Sequence, residues 1–194
     1  MHDIEPYWNW RDYYVAEEDS KSPFYKKQYS EFSFENTCYN YFIHPQWDEF
    51  GSPTLYLKIL FVDYEKGFCI LEFIGEWNDA ISNDIMFLKT EIINTLTKFG
   101  IRKFILIGEN VLNFHASDDC YYEEWLDDIK EDDGWIALVN FRKHVEDEMK
   151  RVRINNYVFL GERFQDINWR QVKPMHMHKV IEELFLKRIN QSSQ

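Results

Sequence analysis

The sequence predicts an α/β fold, in which a β-sheet opens with a hairpin and continues as alternating helices and strands. Two observations predict this arrangement. Short apolar runs that suit buried strands recur from residue 55 onward, and between them lie longer segments whose apolar residues recur every three or four positions. The chain has 194 residues and is 45% hydrophobic, which is enough for one sizeable core. Strands that alternate with helices imply crossover helices packed on a sheet.

The first 53 residues are predicted to form an aromatic-rich N-terminal extension. Residues 1–50 hold 15 of the 35 aromatic residues of the chain, with few aliphatic residues between them. Aromatic side chains each bury a large area, so we expect residues 1–53 to pack on the main domain. The alternative is that these aromatic residues face a partner.

The main domain is predicted to span residues 54–189. It opens with a β-hairpin, in which alternating apolar residues over 55–61 are followed by a turn at 63–67 and a second strand over 68–74 that ends at Gly75. A helix follows and can end at Gly100 in the left-handed conformation. Its apolar stripe consists of Ile81, Ile85, Leu88, Ile92, Leu96 and Phe99.

The second half of the domain continues the alternation. Residues 103–107 and 135–139 are apolar runs typical of central strands covered on both faces. The segment between them carries a helical stripe at Tyr122, Trp125, Leu126 and Ile129. A helix over 145–152, a strand over 157–160 and a last helix over 180–189 are also predicted, and residues 190–194 are expected to fray.

Composition disfavours several classes of protein. A net charge of −12 argues against nonspecific binding to nucleic acid or to an anionic membrane. The sequence starts without the pattern of a signal peptide and has no apolar stretch of membrane-spanning length, so we expect a cytoplasmic protein. The three cysteines form no CxxC pair, which argues against a disulfide framework or a zinc site.

Charge is unevenly distributed along the chain. Residues 1–141 carry 27 acids and 11 Lys or Arg, a net charge of −16, whereas residues 142–194 carry 7 acids and 11 Lys or Arg, a net charge of +4. Such asymmetry suits a basic protein partner or self-association, and it is equally typical of a solvated surface.

The order of elements over residues 68–160 resembles the STAS domain of anti-anti-sigma factors. That family has a glycine-ended strand, a helix, a buried strand, a loop at a helix start, a further strand and a helix. Its loop commonly reads Asp-Ser-Ser-Gly, and the Phe-His-Ala-Ser-Asp-Asp sequence at residues 114–119 lies at the same place and matches it at Ser117. The resemblance implies a STAS-like mixed sheet, and it implies that Ser117 is a candidate phosphoacceptor that controls partner binding.

Elementary chemistry offers a second role for Ser117. Residues 117–133 include nine acids and one lysine, so a phosphate would add about −1.5 to −2 charge to an already negative surface. Ser117 could instead cap the following helix through its hydroxyl, while Asp118 and Asp119 complement the positive end of the helix dipole.

No complete catalytic, cofactor or metal motif is present in the sequence. We therefore predict a non-enzymatic, cytoplasmic protein–protein interaction or regulatory module that uses no cofactor and no metal. Its candidate partner surface surrounds Ser117 and comprises His115, Asp118, Asp119, Glu123, Glu124, Asp127 and Asp128.

Two alternatives remain. One is an apolar small-molecule carrier, which the resemblance to the SpoIIAA-like group implies and for which the N-terminal aromatic residues could line a pocket. The other is a metal-assisted enzyme that uses His115, Asp118 and Asp119, with Glu109 nearby, because ligands of open α/β sheets bind at the carboxyl ends of the strands.

Overall fold

A four-stranded mixed sheet forms the centre of the protein. The computed structural model describes residues 3–192, with side chains described as far as residue 185. A small hairpin comes first in the chain, with strands β1 (Thr37–Cys38) and β2 (Tyr41–Phe42). The main sheet has the order β3-β4-β5-β6, with β3 (Leu55–Asp63), β4 (Phe68–Asn78), β5 (Lys103–His115) and β6 (Trp135–Val139).

The strand directions confirm the predicted mixed α/β sheet. Strands β3 and β4 form the expected antiparallel hairpin, whereas β4, β5 and β6 run parallel to one another. Every residue of β4 and β6 is buried, which explains why most residues of these strands are apolar. Single bridges extend both edges of the sheet, at Asp48 with Leu57 and at Ala137 with Phe159.

Helices provide the crossovers. The chain passes from β4 to β5 through α1 (Asp79–Ser82), α2 (Asp84–Phe87), a π-helical turn (Leu88–Ile93) and α3 (Asn94–Lys98). Helix α4 (Cys120–Lys130) connects β5 to β6, and α5 (Lys143–Arg151) follows β6. Three 3₁₀ turns (Ile154–Asn156, Glu162–Phe164 and Trp169–Gln171) lead to α6 (Pro174–Ser192).

The two faces of the sheet are covered differently. Helices α1 to α5 pack on one face, where Trp125 and Ile129 of α4 meet Leu71 and Leu106 of the sheet. The other face is covered by α6 and by part of the N-terminal extension. Trp10 is the buried residue of the extension on that face, while Trp47 is buried beside β3 and β4.

The first predicted helix is not continuous. Asn83 adopts a left-handed conformation (φ 53°) that separates α1 from α2, and the π-helical turn inserts an extra residue into the remaining helix. As a result the neighbours Ile92 and Ile93 are both buried, whereas Ile81, predicted to lie in the apolar stripe, is 86% exposed.

Other boundaries also differ from the sequence prediction: β5 runs to His115 and not to 107, and α6 begins at Pro174 and not at 180. Strand β4 continues past Gly75 to Asn78 because Gly75 accommodates an irregularity in the pairing with β5 at φ 115°. The strand predicted over 157–160 is reduced to the bridge of Phe159, whose N–H donates to Ile136 and whose C=O accepts from Leu138. Of the tail expected to fray over 190–194, residues 190–192 continue α6 and the last two residues lie outside the described part of the chain.

Candidate functional site

The carboxyl ends of β4 and β5 meet at one edge of the sheet. Asn78 and His115 are partners in the pairing of these two strands. The β1–β2 hairpin lies beside them, because the Asn113 side-chain amide donates to the hydroxyl of Tyr39 at 3.3 Å. Cys38 anchors the hairpin, since it is fully buried in a cluster with Ile43, Trp47, Tyr56 and Ile74.

Large apolar side chains are exposed at this edge. Ile81 follows Asn78 by three residues, and its backbone N–H donates to the Asn78 side chain at 3.0 Å. The exposed fractions are 86% for Ile81, 59% for Tyr41, 56% for Tyr39 and 51% for Phe42. We name the set Tyr39, Tyr41, Phe42, Ile81, His115, Ser117 and Asp118 the carboxyl-edge surface.

His115 is held by a carboxylate from the neighbouring strand. Its Nε2 lies 2.6 Å from Oε1 of Glu76, and the Glu76 side chain is buried while that of His115 is about half exposed. Glu76 also affects Tyr39, whose pKa is raised first by desolvation and then by its hydrogen bond to this carboxylate. The imidazole therefore has a fixed orientation at an otherwise exposed surface.

Two buried carboxylates lie beneath the same edge and organise the break between α1 and α2. Asp79 accepts hydrogen bonds from the Tyr122 hydroxyl at 2.7 Å and from the N–H of Ile85 at 2.8 Å. Asp84 accepts from the N–H of Asn78 at 2.7 Å. Burial raises the pKa of Asp79 to about 6 and also raises the pKa of Asp84. These contacts are structural, because both carboxylates are shielded from solvent.

The loop after β5 does not form the cap expected at Ser117. Helix α4 begins at Cys120 with Asp119 at the N-cap position, and no side chain makes the capping hydrogen bond. Asp119 instead accepts from the Tyr157 hydroxyl at 2.7 Å, and Asp118 accepts from the N–H of Cys120 at 3.3 Å. Ser117 lies three residues before the helix and is exposed, so its candidate role as a phosphoacceptor stays a prediction.

The acidic face of α4 is only partly free to meet a partner. Glu124 and Asp128 both accept from Nζ of Lys89, each at 2.8 Å, although Lys89 is only 1% exposed. Asp127 pairs with Lys130 at 2.6 Å on the surface. Glu123 remains an exposed acid of the first turn. Two of the acids predicted for the partner surface therefore hold α4 against the crossover helix.

The side chains proposed for a metal-assisted enzyme are not brought together. Glu109 points to the other side of the sheet, where it accepts from Trp169 Nε1 at 2.8 Å and from the Asn140 amide at 2.8 Å. His115, Asp118 and Asp119 each have the separate partners described above. Within residues 3–192, no group of three or more His, Cys, Asp or Glu side chains is arranged to hold a metal ion.

The aromatic extension does not enclose a ligand-sized pocket against β3. The cavity between residues 6–17 and β3 has a volume of about 20 Å³, room for roughly one water, and it includes the charged side chains of Glu17 and Lys58. Pockets for small molecules are typically about 300–1,000 Å³. Larger spaces are open grooves: one of about 450 Å³ is lined in part by Phe24 and Phe50 of the extension, and one of about 520 Å³ lies beside Trp135 and Phe185.

Sequence reasoning missed several residues of this edge. Glu76 was missed because its contact with His115 joins two strands, and such a contact can be predicted only when the register of the two strands is known. A signal for the start of α1 was available, because Asn78 followed by Asp79 is a typical helix N-terminus. No such signal marks Ile81 as exposed, since its spacing fits the buried stripe.

Comparison with known proteins gives matches only among solved structures. No family profile and no curated protein matches the sequence. The matching structures include proteins of the anti-sigma factor antagonist class. One is a putative anti-sigma factor antagonist from Thermotoga maritima, 18% identical, with a TM-score of 0.36 over 53% of this chain and 80% of that one.

The second structure is the Bacillus cell fate determinant SpoIIAA in its phosphorylated form. It is 11% identical, with a TM-score of 0.38 over 55% of this chain and 91% of that one. The STAS-like resemblance seen in the sequence is thus matched by solved structures of that class. With TM-scores below 0.5 the likeness carries no argument, and nothing below rests on it. No helix of the described residues has both the length and the apolarity needed to cross a membrane.

Proposed function

We propose that this protein is a non-enzymatic interaction module that binds another protein through the carboxyl-edge surface. The observation that carries the proposal is the exposure of Ile81, Tyr39, Tyr41 and Phe42 at one edge of the sheet. Exposed apolar side chains that cluster, rather than occur singly, mark interaction sites on soluble proteins. Tyrosine and phenylalanine are also enriched where interfaces are buried.

Charge indicates the chemistry of the partner. The chain carries a net charge of −12, and the carboxyl-edge surface includes the exposed acid Asp118. A partner with an apolar contact surface bordered by Lys or Arg would be complementary, and its association would be faster at low ionic strength. The exposed Ser117 lies in the same surface, so phosphorylation there would add negative charge at the contact. We place this module in the cytoplasm, with no cofactor.

A matched set of variants tests the proposal. The double variant Ile81→Ser, Phe42→Ser removes two exposed apolar side chains of the surface. Tyr13→Ser is the control, because Tyr13 is similarly exposed (51%) and lies on the other face of the molecule, where Lys173 approaches its ring. Tagged wild-type protein and both variants are used in quantitative pull-downs from the native cells at low and moderate salt.

We expect one stoichiometric, basic partner with the wild-type protein and with Tyr13→Ser, and its loss with the double variant. Unfolding curves of the double variant should match those of the wild type, because exposed substitutions change stability little. Equal capture by all three proteins would exclude the carboxyl-edge surface as the contact. A bound small molecule in native mass spectra, with no stoichiometric partner, would favour the carrier alternative instead.

A further inference from the structure

The start of the N-terminal extension is fastened across the second face of the sheet. We name residues 4–14 the N-terminal strap. The C=O of Ile4 accepts from Trp47 Nε1 at 2.8 Å, and Trp10 Nε1 donates to the C=O of Val172 at 3.0 Å. The rings of Tyr7, Trp10 and Trp169 form edge-to-face contacts with centroids 4.9 to 5.5 Å apart.

A hydrogen bond to a buried carboxylate helps to hold the strap in place. Glu72 lies in the middle of β4 and is 2% exposed. Its Oε2 accepts the backbone N–H of Tyr7 at 2.9 Å, so the strap covers the carboxylate and bonds to it. The hydroxyl of Tyr7 donates to the C=O of Arg170 at 2.5 Å, which ties the strap to the same 3₁₀ turn that approaches Glu72.

The positively charged groups near Glu72 offset only part of the cost of burying its negative charge. Arg170 reaches Glu72 only at 3.5 Å, because its guanidinium also lies 2.5 Å from Glu109 of β5. Lys58, the partner of Glu72 on β3, forms an ion pair with Asp48 at 3.2 Å. Arg170 and Lys58 are thus shared with or committed to another carboxylate. The negative charge of Glu109 opposes ionisation of Glu72, and burial withdraws Glu72 from water.

We propose that Glu72 is a proton-sensitive latch, whose ionisation weakens closure of the N-terminal strap over the sheet. When the carboxyl is neutral, the closed strap buries no charge there and the carboxyl can still accept the Tyr7 N–H. When it is ionised, the closed state keeps a charge away from water that opening of the strap would hydrate. This inference is independent of the proposed function.

The direction of the effect follows from the burial of Glu72. Burial raises the pKa of Glu72 from 4.5 to about 7, against the lowering effects of the Tyr7 N–H and Arg170. Strap closure is therefore strongest below about pH 4.5, weakens as pH rises between about 4.5 and 7, and is constant above this window. Complete hydration on opening would weaken the closing equilibrium by up to about 300-fold over that range.

Hydrogen exchange at the strap measures this equilibrium. The full chain is labelled at several pH values from 5 to 8, and protection of peptides containing Tyr7 is corrected for the intrinsic rate at each pH. Glu72→Gln keeps an acceptor for the Tyr7 N–H but cannot ionise. Asp12→Asn is the matched control, since Asp12 is an exposed acid within the strap itself.

In the wild type and in Asp12→Asn, we expect protection of the strap to fall by ten-fold or more from pH 5 to pH 8, while peptides from β5 keep theirs. In Glu72→Gln protection should be independent of pH. An unchanged pH slope in Glu72→Gln, or a flat wild-type profile, would refute the latch. If Glu72→Gln does not fold, the upper end of the wild-type profile decides: the latch requires protection to keep falling up to about pH 7, whereas an exposed carboxyl would leave protection nearly flat above about pH 5.

Discussion

Removing both acids that hold Lys89 should destabilise the fold more than removing the lysine itself. Lys89 is 1% exposed, and its Nζ donates to Asn94 at 2.6 Å and to Glu124 and Asp128 at 2.8 Å each. Glu124 and Asp128 differ from Lys89 in being accessible to water, since their side chains are 53% and 44% exposed. Loss of the lysine therefore leaves carboxylates that water can solvate, whereas loss of the acids leaves a buried ammonium group.

The magnitudes follow from this asymmetry. Lys89→Met removes the buried charge and fills the same space, so we expect a change within about 1 kcal/mol in the free energy of unfolding. The double variant Glu124→Ala, Asp128→Ala leaves the ammonium with Asn94 alone and should cost about 3 kcal/mol or more. Adding Lys89→Met to that double variant should restore most of the loss.

Equilibrium unfolding in urea, followed by far-UV circular dichroism, checks these expectations. With an m-value of about 2–3 kcal/mol/M, the double variant should lower the midpoint by about 1 M. Asp127→Ala is the control on the same helix, since Asp127 pairs only with the exposed Lys130, and its midpoint should be unchanged. A loss in Lys89→Met as large as that in the double acid variant would refute the reasoning.

Two further predictions concern backbone strain and pH. Gly75→Ala should lower the free energy of unfolding by more than about 3 kcal/mol in thermal or urea unfolding, because a Cβ at φ 115° would lie 2.0 Å from the carbonyl oxygen of Thr54. Gly100→Ala is the control: a Cβ there would have no atom within 4 Å, and the variant should lose about 1 kcal/mol. Burial raises the pKa of Asp79 from 3.8 to about 6. The free energy of unfolding of the wild type, relative to that of Asp79→Asn, should therefore fall by up to about 3 kcal/mol as pH rises from about 4 to 6. A constant difference between the two proteins over this range would contradict the prediction.

Elements with a strong local pattern could be predicted from the sequence. Residues 103–107 and 135–139 are apolar on both faces because helices cover one face of the sheet and α6 with the N-terminal strap covers the other. The burial of Trp125 and Ile129 follows from their spacing on α4. In each case the local pattern and the tertiary environment require the same residues.

Elements that depend on distant partners could not be predicted. Strand β5 extends to His115 through polar residues, because it pairs with β4 as far as Asn78, where Glu76 contacts His115. Burial of Lys89 depends on two acids that lie 35 and 39 residues later in the chain. Neither contact leaves a periodic signal in the sequence.

Irregular backbone explains why Ile81 is exposed at the carboxyl-edge surface. Had the crossover helix been continuous, Ile81 would have lain in the buried stripe with Ile85, whereas the left-handed Asn83 interrupts the helix between them and Ile81 is exposed. Leaving such a side chain in water forgoes about 1.5–3 kcal/mol of burial. The irregular pairing at Gly75 precedes α1 in the chain, and the π-helical turn follows α2. Sequence patterns that fail in this way, and that leave Ile81 exposed among the residues that the structure describes, are expected at functional or strained sites.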